Sequence, residues 1–419
     1  AECKSIKAMD HFFRRKRIPA FLKPLLSLSL IFASFLMIQK LKLSEKDAVG
    51  VKHVRDPAWC GSECFSFKKT VVTSSGTSDS PVPVKDLEIQ RVPNVTRPSW
   101  DAQVLNCSAD ASVRTQDWFR RLDQRFHQFV LHRHCRYFPL LINHPEKCAD
   151  RNVHLLVVVK SVIEQHDRRE AVRKTWGKEQ TVNGKKIKTL FLLGSPNTGK
   201  DAKNLQKLIE YEDQIFGDIL QWDFMDTFFN LTLKEVNFLK WFYIYCPKVQ
   251  FIFKGDDDVF VNTHNLLELI DFKVEQRKAA NLFMGDTISK AIPIRNRQSK
   301  YYIPKELYDK PYPPYVGGGG FLMSAYLARR LFVASEGVEL YPIDDVFLGM
   351  CLQRLHLSPE MHPGFRTFGI TRRRASTMNT EPCFYKNLIV VHKLSAQELL
   401  RMWSVVHSQD LICAQKTSI

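Results

Sequence analysis

The stretch Gln250-Phe251-Ile252-Phe253-Lys254-Gly255-Asp256-Asp257-Asp258-Val259-Phe260-Val261 decides how this chain reads. An apolar run ends in three consecutive carboxylates and then turns apolar again. A buried strand of this kind delivers three acids to its carboxyl end, which is where α/β sheets gather their ligands. Three adjacent like charges repel unless something neutralises them. A small, hard divalent cation does so, taking its oxygen ligands from one or two carboxylates and the phosphates of a substrate. The plainer alternative is a helix cap or a solvated turn, since Asp is common at helix starts. The buried strand in front of the acids weighs against it.

Working outward, the texture on the amino-terminal side is that of alternating strands and helices. Val153 to Val159 is a continuous apolar run, the pattern of a strand buried on both faces. A charged amphipathic stretch follows from Gln165 to Trp176, then a second buried strand from Thr189 to Gly194. Asp201 to Asp213 reads as a helix, Asp218 to Gln221 as a short strand and Leu231 to Tyr245 as a helix. This alternation predicts an α/β fold with a mainly parallel central sheet, right-handed crossovers and flanking helices. No glycine fingerprint of the dinucleotide type follows the first strand, and Gly317-Gly318-Gly319-Gly320 has no Lys-Ser/Thr after it. Dehydrogenase and phosphate-loop readings drop out.

On the carboxyl side, that glycine run follows Tyr312-Pro313-Pro314-Tyr315 and precedes the apolar Phe321-Leu322-Met323. It predicts a shaped loop whose backbone comes close to a ligand. Tyr341-Pro342-Ile343-Asp344-Asp345-Val346-Phe347-Leu348-Gly349 places two acids at the head of an apolar helix, either as a cap or as a positioned carboxylate base. Leu388 to Lys393 is strand-like and ends near His392; a lone histidine there is more often structural than a ligand. Arg169 and Arg173 share one helix face. By themselves they read as a salt-bridged face, with a nucleotide clamp as the alternative.

The 419 residues leave room for one large domain plus extras, and a hydrophobic content of 44% with 29 Phe allows a sizeable core. The net charge of +17 points to an acidic partner. Arg14-Arg15-Lys16-Arg17 precedes an uncharged apolar segment, 24–39, which Phe21 and Leu22 extend and Lys23 allows to snorkel. A membrane span usually needs about 17–25 residues. We read residues 1–23 as a cytosolic tail and 24–39 as a signal-anchor rather than a cleaved signal, because Gln39-Lys40-Leu41-Lys42 is a poor cleavage site. Basic residues before the span put the amino terminus in the cytosol and the rest in the lumen. The chain begins with Ala1, so its amino terminus is left open. Residues 40–115, with their Ser, Thr and Pro, have the composition of an unstructured stem; 116–419 would be the catalytic domain. A lumenal address makes the sequons at Asn94, Asn106 and Asn230 plausible glycan sites. It also favours disulfides among the ten cysteines. Cys60 and Cys64 have no second Cys/His pair to complete a zinc site. No pairing can be read, and the nine cysteines after Cys3 leave at least one unpaired.

Six segments, in this order, resemble the signature set of the β-1,3-glycosyltransferases that use UDP-sugars. They are Arg169 to Trp176, Phe191 to Gly194, Asp226 to Lys234, Lys254 to Phe260, Tyr315 to Gly320 and Ile343 to Gly349. The likeness spans roughly Asp117 to Cys413. Gly255 and Pro342-Ile343-Asp344-Asp345 point to the N-acetylglucosaminyltransferase branch. His134 to Pro139 and Pro382-Cys383-Phe384 resemble one of its members most. Asp344 stands where galactosyltransferase relatives commonly have Glu, and Phe229 where Tyr is frequent.

The resemblance implies a GT-A glycosyltransferase fold, a single-pass type II protein of the Golgi membrane, and inverting transfer of GlcNAc from UDP-GlcNAc to the 3-hydroxyl of a terminal galactose. It implies Mn²⁺, with Mg²⁺ as the alternative, held by Asp258 and His392, with Asp256 near the ribose or a metal-bound water. Asp345 would be the base, with Asp344 as second choice. Arg169, Arg173, Lys234, Asp256, Asp257, Gly318 and Gly319 would bind the donor. The acceptor would be a galactose-terminated glycan on glycoproteins or proteoglycans, of the poly-N-acetyllactosamine or keratan sulfate type. The clusters Arg295, Arg297, Lys300 and Arg372, Arg373, Arg374 are candidates to attract sulfate on it. A β-1,3-galactosyltransferase is the enzymatic rival, and an inactive glycan-binding or scaffold protein the rival from another class. Nucleic acid is not an expected partner, since no aromatic-basic module is present. Oligomeric state stays open.

Overall fold

The computed structural model describes residues 100, 107–149, 152–196, 199–371 and 376–413. The expected tail and anchor, nearly all of the stem, Asn94, Asn106, Cys3, Cys60, Cys64, Arg372, Arg373 and Arg374 lie outside the described residues. Among the described residues no helix is long and apolar enough to cross a membrane.

The strands are β1 (Leu140–Ile142), β2 (Val153–Lys160), β3 (Gln180–Val182), β4 (Lys185–Ser195), β5 (Ile219–Met225), β6 (Phe251–Asp256), β7 (Val259–Val261), β8 (Phe283–Ile288), β9 (Tyr315–Ser324), β10 (Glu360–Met361), β11 (Phe365–Arg366) and β12 (Val390–His392). The longer helices are α1 (His166–Lys174), α2 (Ala202–Phe216), α3 (Leu231–Tyr245), α4 (Thr263–Glu275), α5 (Ala325–Glu336), α6 (Asp344–Arg354) and α7 (Ala396–Val406). The main sheet runs β1-β5-β4-β2-β6-β9-β8-β10, with β3 on the edge of β4, and a small sheet runs β11-β12-β7. The fold is mixed α/β.

The apolar run of β2 is continuous because both of its faces are covered. Leu156 and Val158 enter one core with α3, α5 and α6. Leu155, Val157 and Val159 enter the other with α1, α4 and α7. The sheet is less parallel than the sequence leads one to expect. Parallel pairing holds across β5, β4, β2 and β6, whereas β1, β3 and β9 run antiparallel to their neighbours. For β9 the cause lies in the long connection from β8. It carries no crossover helix, so the chain returns antiparallel. The glycine run corrects a second expectation. Gly317 to Gly320 is not a loop but part of β9, where Gly320 pairs with Gly255 of β6.

The packed region also reaches back beyond residue 116. Trp100 lies against Tyr137 and Trp222, and Cys107 is bonded to Cys135. Two further disulfides join Cys148 to Cys246 and Cys383 to Cys413. Cys351 is buried and free.

Between β6 and α3 lies a fully buried ion pair, Lys254 Nζ to Glu235 Oε2 at 2.6 Å. Removing one member strands the other in the core, which costs about 3–5 kcal/mol. Lys254→Met should lower the free energy of unfolding in urea by that amount, and Lys254→Met with Glu235→Leu should recover most of it. Equal stability of the single variant and the wild type would show that the pair is not the constraint it looks.

Candidate functional site

Strand β6 ends at Asp256, the chain turns through Asp257 and Asp258, and β7 then enters the small sheet. There, antiparallel pairing with β12 puts His392 opposite Val259. The register thus sets the imidazole beside the carboxylate one residue earlier. His392 Nε2 lies 2.8 Å from Asp258 Oδ1 and 3.6 Å from Asp256 Oδ2. The Asp258 carbonyl accepts from the backbone N–H groups of Lys393 and Leu394, which fixes the turn. Asp256, Asp258 and His392 each offer one ligand atom, all within 4.8 Å of one another. His392 Nδ1 lies 2.7 Å from the Thr367 carbonyl. Donation of its N–H there leaves Nε2 facing the carboxylates, as a donor to Asp258 when the ring is protonated and as a metal ligand when it is neutral, the arrangement common in metal-bound histidines. Burial opposes both charges, yet Asp258 raises the His392 pKa and His392 with Arg168 lowers that of Asp258. Two carboxylates and a neutral imidazole fit a divalent ion that accepts oxygen ligands together with a nitrogen, such as Mn²⁺.

On the other side, parallel pairing of β2 with β6 makes Lys160 the register partner of Asp256. The Lys160 side chain, 6% exposed, places Nζ 3.2 Å from Asp256 Oδ1 and 2.8 Å from Asp344 Oδ2. Burial disfavours its charge, but Asp256 and Asp344 hold its pKa well above the usual lysine value. Asp344 and Asp345 open α6, where the helix dipole favours negative charge. Their environments separate them. Asp344 is buried, which would raise its pKa, yet the charge and hydrogen bond of Lys160 hold it low. Asp345 is raised to about 7, first by burial and then by the negative Asp344 beside it. One carboxylate stays an anion and the other can exchange a proton near neutrality.

The glycines of β9 roof this space. A Cβ on Gly318 would sit 3.2 Å from Lys160 Nζ and 3.8 Å from Asp345 Oδ2. One on Gly319 would come within 3.0 Å of His392 Nδ1. Close approach, rather than an unusual φ, is what requires glycine here.

Several expected donor contacts turn out to be internal. Arg169 is completely buried and donates to Glu212, Ser161 and the Val162 and Ile163 carbonyls. Arg173 is bound to Glu212 and Asp218. Burial alone would raise the Glu212 pKa; Arg169, His166 and Arg173 bring it down to about 2. Lys234 is buried against Asp226 at 2.9 Å and donates to the Ser161 carbonyl. Asp257 accepts from the Ser161 hydroxyl at 2.6 Å and from Arg168 at 3.1 Å. Arg169, Lys234 and Asp257 brace the turn after β2, and Arg173 ties α1 to Glu212 and Asp218. Arg295 likewise turns inward to the Ile303 and Tyr308 carbonyls. Arg297 and Lys300 remain exposed. Asn230 is half-buried before α3, its Nδ2 donating to the Met225 carbonyl.

Sequence reasoning passed over Lys160 and gave Arg168 no role. Arg168 lies 3.1 Å from Asp257 and 3.5 Å from Asp258 and is 31% exposed. A lysine closing an otherwise apolar buried strand was the available signal for Lys160.

A profile described as Galactosyltransferase matches residues 167–363. The chain is 56% identical over 324 residues to UDP-GlcNAc:betaGal beta-1,3-N-acetylglucosaminyltransferase 7 of Rattus norvegicus, covering 76% of this chain and 80% of the relative. It is 44% identical to N-acetyllactosaminide beta-1,3-N-acetylglucosaminyltransferase 2 of Mus musculus, covering 78% and 79%. It is 51% identical to UDP-GlcNAc:betaGal beta-1,3-N-acetylglucosaminyltransferase 9 of Homo sapiens, covering 65% and 71%.

Two outcomes test the site. The raised pKa of Asp345 means that folding favours its protonated form, so its contribution grows unfavourable as pH rises from about 4 to about 7. Asp345→Asn should therefore match the wild-type melting temperature at pH 4 and exceed it at pH 8; a constant difference would contradict the shift. Arg169→Met should lower the melting temperature sharply, because Glu212 loses a buried partner. The folded fraction should keep its affinity for UDP in calorimetry, and a loss of UDP binding without loss of stability would restore Arg169 to the ligand.

Proposed function

The chain belongs to the β-1,3-N-acetylglucosaminyltransferases, and from that membership we propose that it transfers GlcNAc from UDP-GlcNAc to the 3-hydroxyl of a terminal galactose in β linkage. The observation that carries the assignment of roles is the separation of Asp344 from Asp345. It supplies a carboxylate that can take a proton near neutral pH, at a surface opened by Gly318.

In this reading the fold is of the GT-A type. The galactose O3 attacks the anomeric carbon of the donor from the face opposite the UDP oxygen. The new C–O bond forms as the bond to UDP breaks, the O3 proton passes to Asp345 and UDP leaves, so an α-linked donor gives a β product. Asp345 must lie within hydrogen-bond reach of the hydroxyl at that moment. Asp258, His392 and Asp256 are the residues that would hold Mn²⁺, which when bound stabilises the negative charge of the leaving diphosphate. Asp344 takes no proton; it anchors Lys160, which fixes Asp256. Gly318 and Gly319 give the donor sugar room, and Arg168 replaces Arg169 as the cation beside the diphosphate. Much of the acceleration then comes from holding the two reactants in line.

We extend the reading to topology and acceptor. Residues 24–39 anchor the protein in the Golgi membrane as a type II protein with residues from 40 onward in the lumen. The basic run before the apolar segment and the disulfides of the folded region support this. The acceptor is a lactosamine chain, with sulfation of the keratan sulfate type favoured by the net charge of +17 and the exposed Arg297 and Lys300.

The test is transfer by the full-length chain in detergent to a galactose-terminated lactosamine, from UDP-GlcNAc and from UDP-Gal. Transfer from UDP-GlcNAc alone, lost on chelation and restored by Mn²⁺, is expected. Asp345→Asn should reduce kcat by about 10²–10⁴-fold. Transfer from UDP-Gal would assign the sister activity, and binding of glycan without transfer from either donor would make the protein a lectin-like scaffold.

A further inference from the structure

The glycine run and His392 share a support that has no role in the transfer steps. On β8 only Asp286 lies between Gly285, which pairs with Phe321, and Thr287, which pairs with Val316. On β9 the same interval holds Gly317, Gly318, Gly319 and Gly320. The glycines therefore bulge out of the β8–β9 ladder opposite Asp286, and bulges gather beside active sites, where they re-aim side chains. Asp286 is half-buried, and its Oδ2 accepts the backbone N–H of Thr367 at 3.2 Å. Thr367 directly follows β11 and stands second in a turn. Gly369, at φ 82°, closes that turn by donating its N–H to the Arg366 carbonyl at 3.1 Å. Both backbone groups of Thr367 thus go to side chains: the N–H to Asp286, and the carbonyl to His392 Nδ1 at 2.7 Å. Its own side chain, 6% exposed, packs against the bulge. A Cβ on Gly317 would meet Thr367 Cγ2 at 2.7 Å, and one on Gly319 would meet it at 3.3 Å.

A carbonyl can only accept, so the contact with Thr367 puts a proton on His392 Nδ1 and turns Nε2 toward Asp256 and Asp258. The β12 ladder fixes the backbone of His392 but not the rotation of its ring. The ring follows the Thr367 carbonyl, and that carbonyl sits in a turn just outside the small sheet. Asp286 ties the turn to a strand of the main sheet, the sheet that also delivers Asp256. Outer partners of this kind set the orientation of a ligating histidine, and their loss typically costs about 10–100-fold in metal affinity. The plainer alternative is a carboxylate that only satisfies a buried N–H.

We infer that Asp286 is a positioning residue for His392. It acts through the backbone of Thr367, and it holds the imidazole at the angle at which Nε2 completes a divalent-cation site with Asp256 and Asp258. This rests on the metal-holding role given to those three residues above. Asp286 touches neither the ion nor a substrate.

The experiment titrates Mn²⁺ alone into the full-length chain in detergent and reads its Kd by calorimetry. Wild type is compared with Asp286→Ala, Asp286→Asn and Thr367→Val. Asp286→Ala should raise the Kd about 10–100-fold. Asp286→Asn, whose amide oxygen still accepts the N–H, should bind as wild type does. Thr367→Val keeps the backbone and loses only a hydroxyl that has no hydrogen-bond partner among the described residues, so it should bind normally too. In transfer assays Asp286→Ala should raise the Mn²⁺ concentration for half-maximal rate by the same factor, with kcat at saturating Mn²⁺ and the acceptor KM unchanged. A lower melting temperature with an unchanged Kd would show a structural bond only and overturn the inference. So would an asparagine variant as weak as the alanine one, or an equal loss in Thr367→Val. If Asp286→Ala does not fold, Asp286→Glu decides: it keeps the charge but shifts the acceptor by one methylene, and a Kd equal to wild type overturns the inference. A wild-type chain that binds no Mn²⁺ overturns the metal site itself.

Discussion

A single ammonium group holds the two halves of this site together. Lys160 sits at the end of β2 with one carboxylate on the neighbouring parallel strand and another at the head of α6, at 3.2 and 2.8 Å. Its reach from β2 is fixed by strand register, and a shift of one residue would turn the side chain to the other face of the sheet. The register is in turn held by apolar residues that fill a core on each face. Packing of β2 therefore fixes where Asp256 and α6 lie relative to each other. That is a demanding use of a buried charge. Ions taken out of water are costly, and their attraction repays that cost only with good geometry and full pairing. Lys160, Asp344 and Asp256, with Lys254 and Glu235 beneath, satisfy the requirement by alternating sign.

The same ammonium separates two acids that the sequence presents as equals. Adjacent carboxylates at a helix head differ only in direction, and direction decides their chemistry. Asp344 points at Lys160 and remains ionised. Asp345 points beneath Gly318, shares its burial with a neighbour already charged, and is raised to about 7. A group poised at that value is suited to remove a proton at neutral pH. If Asp344 lost Lys160, the two carboxylates would compete for one proton and neither role would be secure.

What the chain reveals before folding follows from which forces are local. The strands at Val153 and Phe251 and the helix from Leu231 to Tyr245 are legible because burial on two faces, or a long run without breakers, marks the element itself. Asp258 and Asp345 are legible as acids at the ends of such elements. The pairing of His392 with Val259 is not, since it joins segments far apart in the chain. It entered through resemblance alone. The roles of Arg169 and Lys234 are not legible for a related reason. A guanidinium or ammonium near a strand end looks the same in sequence whether its partner is a ligand or a buried carboxylate, and here Glu212 and Asp226 come from other elements. The glycine run reads as a shaped loop because four glycines in a row suit an irregular backbone. In β9 their use is to keep side chains away from Lys160 and His392 while the strand stays paired with β6.

The inward-facing cations also explain how so basic a chain can build this turn. Arg169 and Lys234 meet Ser161 and the carbonyls beside it from beneath. Ser161 then donates to Asp257, and Arg168 comes over the edge to Asp257 and Asp258. The three acids of the opening stretch are thus divided. Asp257 is held by the protein on both oxygens, whereas Asp256 and Asp258 share their face with His392. Lys160 meets Asp256 and Arg168 meets Asp258 on one side only, so each keeps an oxygen toward His392. The central acid is spent on structure while its neighbours keep a face for the site, where a divalent ion would relieve what repulsion remains.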